Sequence, residues 1–174
     1  MKTIELNIYK FAELPEDGKR KAIENLSDIN VDFGWWEYMY SDAKTIGLII
    51  TSFDIDRGQI TGQMDNTMME SIDLIKANHG ESCETYRIAL SFEKQYNDMF
   101  VKFEDTDRIG YVLEVMECEF DNELDELEKS YLNELLEEYL VLLRKEYEYL
   151  TSEQAITETI RANDYDFTED GELY

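Results

Sequence analysis

The chain has 174 residues, 43% apolar and 13% aromatic, with a formal net charge of −25 at pH 7. That length fits one domain, or one domain with a small appendage. Twelve tyrosines, eight phenylalanines and two tryptophans supply enough buriable surface to offset chain entropy, which argues against global disorder despite the charge. With no basic stripe, the composition also argues against a protein that binds nucleic acid directly.

No basic, then apolar, then small-residue leader pattern opens the chain. Its longest apolar stretches, such as Leu140, Val141, Leu142 and Leu143, are interrupted by charge well short of a bilayer's width. The expectation is a cytoplasmic protein without a membrane role. Cys83 and Cys118 lie far apart without metal-type spacing, so reduced thiols are the simplest reading and one disulfide is the alternative.

In chain order, residues 3–11 alternate, with Ile4, Leu6 and Ile8 on one face, which predicts a strand. Pro15 opens a short helix reaching Leu26. Asn30 is placed to cap a second helix bearing Trp35, Trp36, Met39, Tyr40, Ala43 and Ile46 and ending at Gly47. Adjacent tryptophans on a helix point about 100° apart, so one is expected in the core and the other near a groove or partner. Residues 48–55 and 59–64 form a hairpin turning at Arg57-Gly58. Thr67 and Glu70 have capping-box spacing ahead of a helix through Ile72 and Ile75 that closes at His79-Gly80. Ser82 is the expected cap of the next helix, with Tyr86, Ala89, Leu90 and Phe92 at helical spacing. Residues 109–150 hold two helices or one kinked near Asp121-Asn122, with Leu124, Leu127, Tyr131, Leu135, Tyr139 and Leu142 as the buried stripe. Ser152 lies in a stretch, residues 151–154, that restarts a short helix, and residues 165–168 form a small strand ending in a turn. The predicted class is α+β: a helix-dominated single domain, 1–174, with a small antiparallel sheet made of the N-terminal strand, the central hairpin and the C-terminal strand.

Catalytic constellations are scarce. His79 is the single histidine, so any Ser-His-Asp or Cys-His arrangement must pass through it; at a helix end its imidazole is expected to meet the last carbonyls. A zinc set lacks ligands, and Gly58-Gln59-Ile60-Thr61-Gly62 lacks the Lys-Ser/Thr of a phosphate loop. Asp54-Ile55-Asp56-Arg57-Gly58 and Asp164-Tyr165-Asp166-Phe167-Thr168-Glu169 miss the calcium-loop frame and read as turn acids. No cofactor is expected, although acids distant in sequence leave room for a carboxylate-only divalent-ion site.

The acids are the most informative pattern. Residues 104–138 hold fourteen of them against Arg108 and Lys129 alone. Glu114, Glu117, Glu119, Asp121, Glu123, Asp125, Glu126 and Glu128 lie along about 22 Å of helix, one charge per roughly 3 Å, close to the phosphate repeat of one DNA strand. The tail adds Asp164, Asp166, Glu169, Asp170 and Glu172 without a base. A charge run is ordinarily a solvated face, but such density repels itself and exceeds what solubility needs. It fits imitation of a polyanion.

The stretches Tyr9-Lys10-Phe11-Ala12-Glu13-Leu14, Trp35-Trp36-Glu37, Asp42-Ala43-Lys44-Thr45-Ile46-Gly47-Leu48 and Ile50-Thr51-Ser52-Phe53-Asp54-Ile55-Asp56-Arg57-Gly58 resemble a family of small phage and prophage proteins. So do Arg144-Lys145-Glu146-Tyr147-Glu148-Tyr149-Leu150-Thr151-Ser152, Ile160-Arg161-Ala162-Asn163 and Phe167-Thr168-Glu169-Asp170-Gly171. The family carries the label of an antitoxin of a toxin–antitoxin stability system, and some similar phage proteins are anti-CRISPR proteins that block the type II effector nuclease. The resemblance covers both ends and much of the middle. It implies a phage-infected or lysogenic bacterial host and brings no catalytic residues. The expected function is therefore anti-defence: acids from 114 to 128 and the tail acids Asp164, Asp166, Glu169 and Asp170 meet a basic nucleic-acid-binding protein, a CRISPR effector nuclease. The alternative is an antitoxin covering a basic toxin; a carboxylate-metal enzyme ranks third.

Overall fold

The computed structural model describes residues 7–104 and 111–174, with side chains described for residues 7–102 and 119–174. The fold is α+β with helices dominating. Two compact units divide the chain: one combines Met1–Trp36 with Arg144–Tyr174, and the other is Glu37–Leu143.

In the first unit, strand β1 (Tyr9–Lys10) pairs antiparallel with β4 (Asp166–Phe167), Tyr9 opposite Phe167 and Lys10 opposite Asp166. Helix α1 (Glu16–Asn25) starts after Pro15, whose extended backbone holds the N-cap place. Helix α6 (Glu153–Ala162) starts after Ser152, whose Oγ accepts from the Ala155 N–H at 3.2 Å, satisfying a donor that the first turn leaves open. Phe11, Leu14, Ala22, Ile156, Ile160 and Phe167 form this unit's core, with the Phe11 and Phe167 rings edge to face.

The second unit begins with α2 (Glu37–Thr45), which ends at Gly47 with φ 79°, the left-handed stop that glycine adopts without strain. Strands β2 (Leu48–Asp54) and β3 (Gln59–Met64) form the hairpin, with a bulge between Ile50 and Ser52. Helix α3 (Met68–Asn78) carries a full capping box. The Thr67 N–H donates to Glu70 Oε2 at 3.0 Å, and the Glu70 N–H donates to Thr67 Oγ1 at 3.3 Å. That bond from the Thr67 backbone holds the Glu70 carboxyl below the usual range. Helices α4 (Glu84–Glu104) and α5 (Tyr111–Leu150) follow, α5 passing into the first unit at Arg144. Ile46, Leu48, Ile72, Ile75, Tyr131, Leu135 and Tyr139 are fully buried in this core.

Several sequence expectations need correction. Of the strand over residues 3–11, residues 3–6, with Ile4 and Leu6, lie outside the described residues; among the described ones Tyr9–Lys10 pairs, and Phe11 leaves the strand for a 3-10 segment (Phe11–Glu13) that buries its ring. Asn30 caps no helix. Its amide donates to the Leu150 carbonyl at 2.9 Å and its Oδ1 accepts from Thr159 Oγ1 at 2.7 Å, so it is satisfied by α5 and α6 within the first unit. Trp35 and Trp36 precede α2 rather than ride on it; their rings meet edge to face, and Trp35 also meets Tyr147. Ser82 does not cap α4. The Arg87 N–H reaches the Cys83 carbonyl, which gives the cap position to Cys83. Residues 111–150 are one helix, and the strands form two separate ribbons rather than one sheet.

Buried phenols make the second unit sensitive to alkali. Ser71 Oγ donates to the Ile46 carbonyl at 2.7 Å and lies 2.9 Å from Tyr131 OH, and the Tyr139 OH donates to Asp42 Oδ2 at 2.7 Å. Burial pushes the Tyr131 hydroxyl up to about 12 from 10.0, and raises that of Tyr139 as well. A raised pKa in the folded state means the unfolded chain loses its proton first, so stability falls as pH climbs from 10.0 towards about 12. Each such phenol adds a slope of about 1 kcal/mol per pH unit. Tyr131→Phe is expected to flatten that loss, read by chemical denaturation at stepped alkaline pH. An unchanged slope would mean that the phenol ionises in place.

Candidate acidic interface

Helix α5 places the acids of the sequence pattern, but not as one row. At about 100° per residue, Glu119, Glu123 and Glu126 share one side, while Asp121, Asp125 and Glu128 share another about 160° away. Between them runs the apolar stripe of half-buried Leu124 and Leu127 and buried Tyr131, packed on the second unit's core. The acids thus form two ridges flanking the line where α5 docks. Glu119, Asp121, Glu123, Asp125 and Glu126 are exposed, and Glu128 is half-buried. Along each ridge the charges are about 5 Å apart, so the high linear density of the sequence is shared between two faces. Glu114 and Glu117 belong to the same helix, but their side chains lie outside the described residues.

Each ridge borders a groove. Glu123 and Glu126 stand across from Gln95 and Asp98 of α4, over a groove of about 650 Å³ floored by Met99 and Leu127. Asp125 and Glu128 stand across from residues 64–68 over another of about 560 Å³, where Lys129 also lines the wall. Neutralisation within the chain is sparse. Lys102 Nζ lies 2.6 Å from Glu123 Oε1 and Lys129 Nζ lies 3.1 Å from Glu126 Oε1. Among the described residues, Glu119, Asp121, Asp125 and Glu128 form no ion pair. The two lysines therefore offset part of the first ridge's charge, while the acids of the second keep theirs.

The tail acids have a different environment. Lys10 Nζ lies 3.0 Å from Asp164 and 2.8 Å from Asp166, and it also donates to the Asp164 carbonyl at 2.7 Å. These bonds, that to Asp166 first, hold the Lys10 ammonium above its usual range. Lys21 lies 3.6 Å from Asp170 and 3.4 Å from Glu172 and is held up likewise, chiefly by Glu172. Asp170 accepts from the Thr168 hydroxyl, which lowers its carboxyl. Glu169 is exposed on the turn between them. Asp164, Asp166 and Asp170 therefore fasten the tail to β1 and α1 within the first unit. Sequence alone hides those partners, because Lys10 and Asp164 are 154 positions apart.

His79 does not meet the helix-end carbonyls. Its backbone N–H donates to Ile75 O, while its ring Nδ1 lies 2.7 Å from Thr85 Oγ1 and its Nε2 lies 3.9 Å from Asp42 Oδ1. The imidazole is 10% exposed and Thr85 4%, so this cluster offers no open nucleophile. Asp54 likewise binds its own turn: the Arg57 N–H donates to Asp54 Oδ1 at 2.9 Å. Among the described residues, no group of three or more His, Cys, Asp or Glu is arranged to hold a metal ion, and no helix is long and apolar enough to cross a membrane. Cys83 is exposed; the Cys118 side chain lies outside the described residues. Set against known proteins, the chain matches no family model, no curated protein and no solved structure.

Proposed function

We propose that this chain is a non-enzymatic, phage-encoded anti-defence protein of the bacterial cytoplasm, which inhibits a DNA-targeting nuclease by laying the acids of α5 in its basic nucleic-acid channel. The observation that carries this reading is the pair of carboxylate ridges set on one helix, on which Glu119, Asp121, Asp125 and Glu128 form no ion pair among the described residues. A helix backbone that is already ordered adds little to the cost of binding, and its carboxylates offer arginines and lysines the charge that phosphates would otherwise supply. In RNA-guided nucleases, arginines read the short motif beside the target and other basic groups hold the backbones, and both sets are open to competition.

The test is a titration of the protein into a guide-loaded type II effector with labelled target DNA. The apparent Kd for DNA is expected to rise in proportion to inhibitor concentration, and the inhibition to weaken steeply as salt increases. If DNA binding is unaffected at every salt concentration, nuclease mimicry is wrong, and a basic toxin becomes the partner to test.

A further inference from the structure

Strand β3 leaves one edge of the hairpin open, and the hydrogen bonds show which of its residues face that edge. The Asp65 N–H donates to the Gly47 carbonyl at 2.8 Å, and the Thr61 carbonyl accepts from Thr51 Oγ1 at 3.1 Å. Backbone groups alternate in direction along an antiparallel strand, so the odd-numbered residues of β3 face β2. Ile60, Gly62 and Met64 therefore turn their N–H and C=O groups outward. Among the described residues, no other strand pairs with β3 and no backbone bond crosses its outer edge. Strand β2 packs against α2 and buries Leu48 and Ile50, whereas no residue of β3 is buried. Such edges are ordinarily guarded by charge, proline or a bulge. Gln59-Ile60-Thr61-Gly62-Gln63-Met64 has neither charge nor proline, in a chain that is 33% charged, and the bulge lies on β2.

We propose that an extended segment of the basic partner protein adds to this edge as a third strand, antiparallel to β3, with basic residues at its N-terminal end. This rests on the acidic-interface reading above and deepens it. The outward backbone groups recur about every 7 Å and supply the pairing. The end of β3 supplies the preference for charge. There Met64 and Asp65 line the groove of about 560 Å³ together with Asp125 and Glu128 of α5. Lys129 also lines it, but its ammonium lies on Glu126. An antiparallel strand starts where β3 ends, so its first residues meet these carboxylates and the rest pair along neutral backbone. A second copy of this chain would bring another charge of −25 to the same edge, which repulsion opposes. A basic segment is attracted by the same field.

The experiment uses the full chain and a fluorescent peptide with lysines at its N-terminus followed by alternating valine and threonine. Anisotropy measures binding, and amide hydrogen exchange followed by NMR locates it. The amides of Ile60, Gly62 and Met64 should gain protection of about tenfold or more, while those of Thr61 and Gln63, already in the ladder, change little. Residues directly opposite share a face of the sheet, so valines that join the core side with Ile60 and Met64 carry the ladder bonds. N-methylation of the valine amides should therefore weaken binding about tenfold or more, and N-methylation of the threonine amides should not. Asp125→Asn with Glu128→Gln should weaken binding several-fold and leave the protection at saturation intact. Binding through the lysines without protection of β3 would overturn the added strand and leave the acidic interface standing. If a peptide with glutamines for lysines protects β3 equally well, and the two α5 changes have no effect, the strand stands and the basic partner does not. Protection that appears without peptide and grows with protein concentration would assign the edge to a second copy and overturn the partner segment. Absence of binding would overturn the added strand.

Discussion

Changing Glu119, Glu123 and Glu126 together to lysine is expected to weaken binding to a basic nucleic-acid channel by about a hundredfold or more, chiefly by slowing association. Steering by a charged surface speeds encounter by about 10–1,000-fold, and the triple change reverses one of the two ridges that create the field. The fold should survive, because all three residues are exposed and lysine is a good helix former. Two neighbours complicate the reversal: lysines at positions 123 and 126 would face Lys102 and Lys129, which now lie 2.6 Å and 3.1 Å from the Glu123 and Glu126 carboxylates. The matching triple glutamine variant removes that repulsion and isolates the loss of negative charge; it should slow association less, in the same direction. The corresponding lysine triple at Asp121, Asp125 and Glu128 tests the second ridge. Comparable losses on both ridges mean that the partner encloses α5, as a duplex channel would. A loss confined to the first ridge means that the partner docks on the α4 side. If neither triple changes the association rate, the acids of α5 are a solvated face. Stopped-flow association at several salt concentrations, with helicity checked by circular dichroism, separates these results. Loss of a desolvated pair would appear in dissociation instead.

The sequence was most legible where the physics is local. Thr67 with Glu70, Ser152 ahead of α6, Gly47 after α2 and the turn at Gly58 are all settled within four or five residues, and each stands where its spacing places it. The helix period also marks Tyr131, Leu135 and Tyr139 as the inner face of α5. What spacing does not carry is the identity of distant partners. Asn30 looks like a cap because asparagine suits that role, yet its bonds go to Leu150 and Thr159, 120 and 129 positions away. His79 has the place of a helix-end base, but Thr85 and Asp42 take its ring. The division into two units is hidden for the same reason, since the first is assembled from both ends of the chain. The acids illustrate the limit most directly. Counted along the sequence they form one dense run; turned by about 100° per residue around the stripe of Leu124, Leu127 and Tyr131, they separate into two ridges. Asp98, the acid across the groove, gave no signal, because it stands alone among the uncharged Asn97, Met99 and Phe100.

The tail acids lead to a different expectation, in which the effect falls on folding before it touches binding. Gly171 has φ 83° and is packed so closely on α1 that a Cβ there would press into the Gly18 carbonyl and the Ala22 nitrogen, both backbone atoms of a helix. Gly18 in turn lies under the Glu169 carbonyl, which a Cβ would meet at 2.7 Å. Gly171→Ala combines a left-handed backbone with a contact that no side-chain movement relieves, so it should cost the first unit about 2 kcal/mol or more. Gly18→Ala sets two effects against each other. Alanine inside a helix gains about 1 kcal/mol over glycine, whereas the Glu169 backbone must move to admit the methyl, and close-packed elements give way at a cost of about 1–3 kcal/mol. Packing is expected to win, leaving Gly18→Ala destabilising but milder than Gly171→Ala. Replacing Asp164, Asp166 and Asp170 by asparagine removes both carboxylates that pair with Lys10 and one of the two that pair with Lys21, Glu172 remaining, and should loosen the same attachment. Hydrogen exchange at the amides of α1 and α6 reads all three effects, with protection falling in each variant. The asparagine triple then separates fastening from contact. If these acids mainly fasten the tail, the triple slows association with a basic partner far less than the Glu119, Glu123 and Glu126 glutamine triple, which removes the same number of charges. Equal slowing, with amide protection intact, would place the tail in the contact surface and leave the lysines as incidental neighbours.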